Sequence, residues 1–120
     1  MEDISNIRVT EKNNDFLKRL VDEQGLFETD KMAAIFAISY ALKRSLDDSI
    51  SETYALDSNS INKWDAASID STGVLRLIVK ERHPSVTCPF RFLQALMNKG
   101  LEEMAKNVPS TGFIRISSLM

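Results

Sequence analysis

The sequence has very few of the side chains that build disulfides or zinc sites. Among its 120 residues it contains one cysteine, Cys88, and one histidine, His83. A single cysteine excludes a disulfide within the chain, and one residue of each kind cannot assemble a zinc site of cysteine and histidine ligands. We therefore expect no metal and no cofactor, and a fold that depends on its hydrophobic core.

Long hydrophobic runs are also missing. The uncharged stretch from Met32 to Leu42 is far shorter than the roughly 20 apolar residues that a membrane-spanning helix needs. Residues 1–6 are acidic and carry neither the basic start nor the apolar core of a secretory signal. The sequence therefore predicts no contact with a membrane and a cytoplasmic location.

The common catalytic and phosphate-binding motifs are absent too. The sequence contains no GxxxxGKS/T, GxGxxG, HExxH or GxSxG pattern, and its glycines are isolated from one another. The adjacent acids Asp47-Asp48 and Glu102-Glu103 do not share a helical face, so we interpret them as solvated charges. These observations argue against an enzyme and indicate no small-molecule substrate.

Two side chains remain as candidates for chemistry. His83 is of the residue type that changes charge near neutral pH, but only Glu81 lies close enough in sequence to orient it. Cys88 lies at an expected helix start, where the helix dipole favours a reactive thiolate. We expect structural roles for both side chains and assign no catalytic residue.

The segment from Asp30 to Arg44 is the centre of the predicted fold. Its composition favours helix, Thr29 is placed to cap the first turn, and the segment is apolar on nearly every side. Gly100, inside a later helix, suggests close backbone contact with this segment. Three alanines recur every four residues and form a smooth stripe that another helix or a second subunit can approach, namely Ala33, Ala37 and Ala41.

The other elements are predicted from periodicity and from breaking residues. Residues 1–46 are expected to form a short strand, an amphipathic helix over residues 11–24 and the central helix. Residues 47–60 are rich in serine, aspartate and asparagine and predict a surface loop. Two further helices are expected in residues 61–107, one ending before Pro84 and one opening at Pro89. The sequence thus predicts a single, mainly α domain of about four helices around residues 30–44.

The segment from Thr72 to Arg82 allows two interpretations. Its β-branched residues leave a strand as an alternative. We favour a helix, because Val74, Leu75 and Ile78 fit one apolar face while the basic residues point elsewhere.

The two ends of the sequence share an alternating pattern. Ile7–Val9 and Ile114–Ile116 each place an arginine between two β-branched residues, so we expect one or two short terminal strands, or a tail over residues 108–120. The two strands can pair with each other, and an unpaired strand would offer its edge to a second subunit. Ile7 and Val9 are therefore assigned, with the alanine stripe, to a partner interface.

Charge is distributed unevenly along the sequence. Residues 47–75 hold six acids against one base, whereas residues 76–120 hold seven bases against three acids. Such polarity favours head-to-tail association or contact with a polyanion, although scattered solvated charge is the commoner explanation. Five basic residues are candidates for nucleic-acid contact: Arg8, Lys31, Arg76, Lys80 and Arg82.

The opening order of strand, helix and helix resembles the ribbon-helix-helix proteins, in which strands from two subunits pair and enter the DNA major groove. This resemblance implies that Arg8 faces the bases and that Thr29 or Lys31 holds a phosphate. The long apolar second helix and the residues behind it depart from that pattern. The implied function, a dimeric DNA-binding transcriptional regulator, is the alternative hypothesis.

A second resemblance covers residues 10–105. A polar first helix leads through Phe27-Glu28-Thr29 into the alanine-rich helix, followed by Trp64, an apolar helix over Val74–Val79 and a last helix ending in Lys99–Glu103. This order resembles small accessory proteins of DNA phosphorothioation (Dnd) modification and restriction systems. The resemblance implies a bacterial, non-catalytic adaptor in DNA modification or anti-phage defence. Its implied partners are further copies of itself, larger subunits of the apparatus, or DNA.

Overall fold

The computed structural model describes residues 2–56 and 62–120 and confirms the predicted, mainly helical fold class. Two short strands form one antiparallel sheet, β1 (Asn6–Arg8) and β2 (Lys63–Asp65). The α-helices of the described residues are α1 (Glu11–Lys18), α2 (Asp30–Lys43), α3 (Ala66–Ile69), α4 (Val74–Arg82) and α5 (Pro89–Lys106). A π-helical turn follows α1 (Arg19–Glu23), and 3-10 turns lie at Leu46–Ser49 and Ile116–Leu119. None of these helices has both the length and the hydrophobicity needed to cross a membrane.

Helix α2 is the predicted central helix, and it packs mainly against α5. The Thr29 hydroxyl caps it as expected, accepting a hydrogen bond from a first-turn backbone N–H at 3.1 Å. A Cβ at Gly100 of α5 would stand only 2.2 Å from the Ala37 carbonyl oxygen. The predicted close contact between Gly100 and the alanine stripe is confirmed.

Helix α1 begins at the predicted residue. The Thr10 hydroxyl accepts a hydrogen bond from the backbone N–H of Asn13 at 3.2 Å and so caps the first turn. The helix then widens into the π-helical turn, and the chain leaves it at Gly25, whose φ of 63° lies in the left-handed region that glycine tolerates. The helix expected over residues 11–24 is therefore present as two consecutive helical segments.

The small sheet differs from the prediction. β1 pairs with β2, which places Ile7 opposite Trp64. Of the two alternatives for the end of the chain, the tail is observed and the strand over Ile114–Ile116 is not, because residues 113–115 are irregular and a 3-10 turn begins at Ile116. The large Trp64 side chain covers Ile7 in place of the other end of the chain. Ile114 and Leu119 instead anchor residues 113–120 as single buried side chains.

The surface loop predicted over residues 47–60 is only partly correct, and residues 57–60 lie outside the described part of the chain. Leu46–Ser49 forms a 3-10 turn, in which Asp47 is buried. Helix α3 is not predicted at all, because a helix of four residues is too short to show a periodicity.

The two later helices are confirmed, and the segment before Pro84 is a helix rather than a strand. At its start, the Asp70 carboxylate accepts hydrogen bonds from the backbone N–H groups of Leu75 at 2.9 Å and Arg76 at 3.1 Å. Pro89 occupies the first turn of α5, as predicted. Asp70 thus satisfies backbone groups that the first turn of α4 leaves without helical partners.

Candidate functional site

The five basic residues predicted to contact nucleic acid lie on three different elements. Arg8 belongs to β1, Lys31 to the first turn of α2, and Arg76, Lys80 and Arg82 to α4. Three of the five therefore share one helix. The surroundings of these three cations decide what α4 presents to solvent.

Arg76 is held by the chain itself. Its Nε donates to the Asp70 carboxylate at 2.7 Å, and the side chain of Asp70 is only 1% exposed. The Arg76 guanidinium carbon also lies 4.8 Å from the ring centre of Phe90, within the range of a cation–π contact. Arg76 therefore fixes α4 against the start of α5.

Lys80 and Arg82 likewise contact their own chain. Lys80 Nζ donates to the carbonyl oxygen of Val86 at 2.8 Å. Arg82 Nη1 donates to the Leu42 carbonyl oxygen at 3.0 Å and to both carboxylate oxygens of Asp47 at 3.1 and 3.2 Å. Arg82 thus satisfies a carbonyl near the end of α2 and neutralises a buried acid.

These contacts leave one face of α4 apolar and open. Val74 is 51% exposed and Leu77 is 60% exposed. They lie three residues apart, so their side chains are neighbours on the helix, and the exposed Glu81 follows one turn later. We name Val74, Leu77 and Glu81 the α4 outer face, and it is the candidate functional site.

The sequence indicates that α4 has an exposed apolar face, although the sequence analysis did not identify it. Residues 74–79 hold five apolar side chains in six positions, which is more than one face of a helix can bury. Leu75, Ile78 and Val79 turn inward, whereas Val74, which the prediction grouped with Leu75 and Ile78 on one apolar face, is exposed. More apolar residues than one helical face can bury indicate that some of them are exposed.

An ionic cluster around the buried carboxylate of Asp47 lies at the other end of α4. His83 Nε2 lies 2.8 Å from Asp47 Oδ2, and the His83 ring packs against Phe92 with a centroid distance of 5.0 Å. Burial raises the pKa of the Asp47 carboxyl, but hydrogen bonds from His83 and Arg82 outweigh it and hold the pKa below its usual value. Asp47 is therefore an ionised acid that links α4 to the 3-10 turn.

This cluster overturns two interpretations of the sequence. Asp47 is not a solvated charge, although its neighbour Asp48 is one, with 74% of its side chain exposed. The statement that only Glu81 can orient His83 is also wrong, because Asp47 reaches it from a distant part of the sequence. Local sequence spacing carries no information about such a contact.

The cluster also has the residue types of a metal site. One ligand atom each from Asp47, Asp48 and His83 lies within 4.8 Å of the other two. However, the Arg82 guanidinium contacts both oxygens of Asp47 and already supplies a positive charge there. A metal ion at this position would lie beside that positive charge and be repelled by it, so the donor set fits a salt-bridged link better than a metal centre.

A cleft of about 190 Å³ borders the cluster and is lined by Ile50, Ser51, Glu52, His83, Ser85, Val86 and Phe92. The Glu52 carboxylate accepts hydrogen bonds from the backbone N–H groups of Cys88 at 2.7 Å and Thr87 at 2.8 Å. These hydrogen bonds lower the pKa of the Glu52 carboxyl, and the bond from Cys88 has the largest effect. Glu52 thus lies just before α5, and the Asp3 carboxylate accepts hydrogen bonds from the first-turn N–H groups of Phe90 and Arg91 at 2.9 and 3.0 Å. The chain's own acids therefore occupy the position that an anionic ligand would prefer. Cys88 itself is buried at this position.

The residues predicted for a partner interface lie inside the folded chain. Ile7, Val9, Ala33, Ala37 and Ala41 have no exposed surface. The close approach of Gly100 to Ala37 shows that α5 occupies the alanine stripe.

The outer edge of β1 is also occupied. The Gln94 side-chain oxygen accepts a hydrogen bond from the backbone N–H of Arg8 at 2.9 Å. Asn98 accepts one from the N–H of Thr10 at 3.0 Å and donates one to the carbonyl oxygen of Arg8 at 3.1 Å. These are the backbone groups with which a strand of a second subunit would pair.

Comparison with known proteins adds no relative to this picture. No protein-family model, no curated protein and no solved structure matches the chain. The function is therefore inferred from the geometry of α4 and from the motif resemblances.

Proposed function

We propose that this chain is a non-catalytic adaptor that binds a larger protein subunit through the α4 outer face. The observation that carries the proposal is the contrast between the two sides of α4. Its cations, although partly exposed to solvent, each contact carboxylate or carbonyl oxygens of the chain itself, and its solvent side also presents Val74 and Leu77. Neighbouring exposed aliphatic side chains suit a protein-binding patch, and a polyanion would need free cations in their place.

The α4 outer face is held in a fixed position, which supports binding. Asp70 and Arg76 fix the start of α4, and Arg82 fixes its end to Asp47 and to α2. A surface that is already ordered loses little conformational entropy when a partner binds. Binding through the α4 outer face therefore incurs only a small ordering cost.

The biological setting is proposed from the resemblance to the Dnd-associated accessory proteins. In that setting the partner is a larger subunit of a bacterial DNA modification or anti-phage defence apparatus, and the complex is cytoplasmic. The adaptor contributes contacts and no reaction of its own.

Co-expression with the products of the neighbouring genes tests this function. We expect stoichiometric co-purification with a modification or helicase-nuclease subunit. Leu77→Glu should weaken that binding at least about tenfold, because it places a charge in the middle of an apolar contact. Met32→Glu, an equivalent change on α2, is the matched control and should bind normally. Wild-type protein that binds no such subunit, or Leu77→Glu that binds equally well, contradicts the proposal.

The alternative is a DNA-binding regulator of the ribbon-helix-helix type. The order strand, helix, helix is present, but β1 pairs with β2 and α5 covers its outer edge, which does not favour a ribbon between two subunits. Fluorescence anisotropy with duplex DNA separates the hypotheses. Micromolar or tighter binding that weakens steeply with salt supports the regulator, and no binding at low salt supports the adaptor.

A further inference from the structure

One face of α2 remains open although the helix is the centre of the fold. Met32, Phe36, Ser39 and Lys43 follow one another at spacings of four, three and four residues, so they share one side of the helix. Met32 is 47% exposed, Phe36 is half-buried, and Ser39 and Lys43 are exposed. We name these four residues the α2 outer face.

A groove of about 200 Å³ lies beside the later half of this face. Phe36, Ser39, Tyr40 and Lys43 form one wall, Leu119 and Met120 form the other, and the lining is mainly apolar. Met120 is 71% exposed. The α2 outer face therefore carries a projecting methionine, Met32, at one end and an apolar groove at the other.

The projection and the groove are spaced so that a two-fold axis exchanges them. Met32 and Tyr40 lie four residues before and after Phe36, which is about 6 Å along the helix in each direction. When two α2 helices pack antiparallel across an axis at Phe36, Met32 of each copy reaches the groove of the other. This is the isologous contact that symmetric dimers use.

The charges at the two ends of α2 are complementary in the same arrangement. Glu28 lies eight residues before Phe36, and Arg44, next to Lys43, lies eight residues after it. Antiparallel packing across Phe36 therefore brings Glu28 of one copy to the basic end of α2 in the other. All three charged side chains are on exposed residues.

We propose that the α2 outer face binds a second copy of this chain, with the two α2 helices antiparallel across Phe36. The inference concerns a different helix from the α4 outer face and does not rest on the proposed adaptor function. One helix pair with its flanking groove buries less surface than a standard protein interface, so a dissociation constant on the order of micromolar is expected.

Sedimentation equilibrium of the full chain tests the dimer. Met32→Lys should raise the dissociation constant at least about tenfold, because it brings an ammonium group into the apolar groove beside Lys43 of the other copy. Leu77→Lys is the matched control, since it makes the same kind of change at an exposed aliphatic residue on α4, and it should leave the constant unchanged. A wild-type chain that stays monomeric at the highest soluble concentration overturns the proposal. So does Met32→Lys dimerising as well as wild type.

Charge reversal tests the antiparallel orientation. Glu28→Lys and Lys43→Glu should each weaken the dimer on the order of fivefold, and the double variant should return to within about twofold of wild type. Circular dichroism checks that each variant is folded. If a charge-reversal variant is not folded, the neutral variants Glu28→Gln and Lys43→Gln are measured in its place. Each single glutamine variant should weaken the dimer. The double glutamine variant should lose no more binding free energy than the two single variants lose together. No effect of any single variant, or no rescue by the double reversal, overturns the arrangement.

Discussion

At the scale of single residues, Gly100 determines how closely α2 and α5 approach. A Cβ at this position would meet the Ala37 carbonyl oxygen at 2.2 Å and the carbonyl carbon at 2.9 Å. Both neighbours are backbone atoms, which cannot swing aside as the end of a flexible side chain can. A glycine inside a helix costs about 1 kcal/mol relative to alanine. The closer packing of the two central helices offsets that cost.

Gly100→Ala should therefore destabilise the protein although alanine is the better helix former. We expect the free energy of unfolding to fall by about 1–3 kcal/mol, because the overpacking strain exceeds the gain in helix propensity. Urea denaturation measures the change. Ala105→Gly, at an exposed position on the same helix, is the control and reports the helix-propensity difference alone. A Gly100→Ala variant more stable than wild type would show that the two helices are not in contact there.

Asp47 is the second residue on which the fold depends. Asp47→Asn should lower the free energy of unfolding by about 1–3 kcal/mol, because Arg82 and His83 lose their ionised acceptor. Asp48→Asn is the matched control, since Asp48 is exposed, and we expect a change of less than about 0.5 kcal/mol there. Chemical denaturation of both variants measures the difference. Equal losses in the two variants would contradict the buried cluster.

The contribution of Asp47 to stability depends on pH with a definite sign. Its carboxyl pKa is lower in the folded chain than the usual value, so folding favours the ionised form. The contribution is therefore present above the usual carboxyl pKa and is lost as the pH falls through the folded pKa. The difference in unfolding free energy between wild type and Asp47→Asn should stay constant down to the usual carboxyl pKa of about 4 and shrink as the pH falls below it. A difference that widens on acidification would contradict the cluster.

At the scale of elements, the helices with local signals could be predicted, whereas the contacts between distant segments could not, apart from the approach of Gly100 to the alanine stripe. Thr10 and Thr29 cap their helices, and Pro89 opens α5, because these effects act within a few residues. The pairing of Ile7 with Trp64 depends on the three-dimensional path of the chain. For the same reason the partner of His83 could not be found from its neighbours in sequence.

Asn98 shows why the position of β1 could not be predicted either. This residue is fully buried on α5, where the apolar periodicity gives no reason to expect an amide. Its side chain bonds the backbone of Arg8 and Thr10 and also accepts from the side chain of Asn13 at 3.0 Å. One amide thus joins β1, α1 and α5.

Asn98→Ala should loosen β1 before it affects the rest of the fold. The substitution leaves the N–H of Thr10 and the carbonyl of Arg8 without partners, so we expect a loss of about 2–4 kcal/mol in the free energy of unfolding. Amide hydrogen exchange should accelerate most over residues 6–10. Lys99→Ala, at the next position on α5, should leave that exchange unchanged. Undiminished protection of β1 in Asn98→Ala would rule out this role.

At the scale of the whole molecule, the fold leaves two apolar surfaces open to solvent, the α4 outer face and the α2 outer face. On α4, Val74 and Leu77 are exposed, while Arg76 and Arg82 pair with Asp70 and Asp47 and keep part of their side chains in solvent. The α2 outer face is exposed because α5 occupies the alanine stripe on another side of that helix. Two ion pairs, Asp47–Arg82 and Asp70–Arg76, thus join the acidic stretch 47–75 to the basic stretch 76–120 within the fold. These two faces predict a small module that binds one kind of partner on each.

The central claim is that α4 contacts a protein, and amide chemical-shift mapping tests it most directly. The isotope-labelled chain is titrated first with the co-expressed larger subunit and then, separately, with duplex DNA. We predict that the subunit shifts or broadens the amide signals of residues 74–81 and that DNA leaves them unchanged. Perturbations by DNA that centre on Arg8 and Lys31, with α4 unaffected by the subunit, would contradict the account.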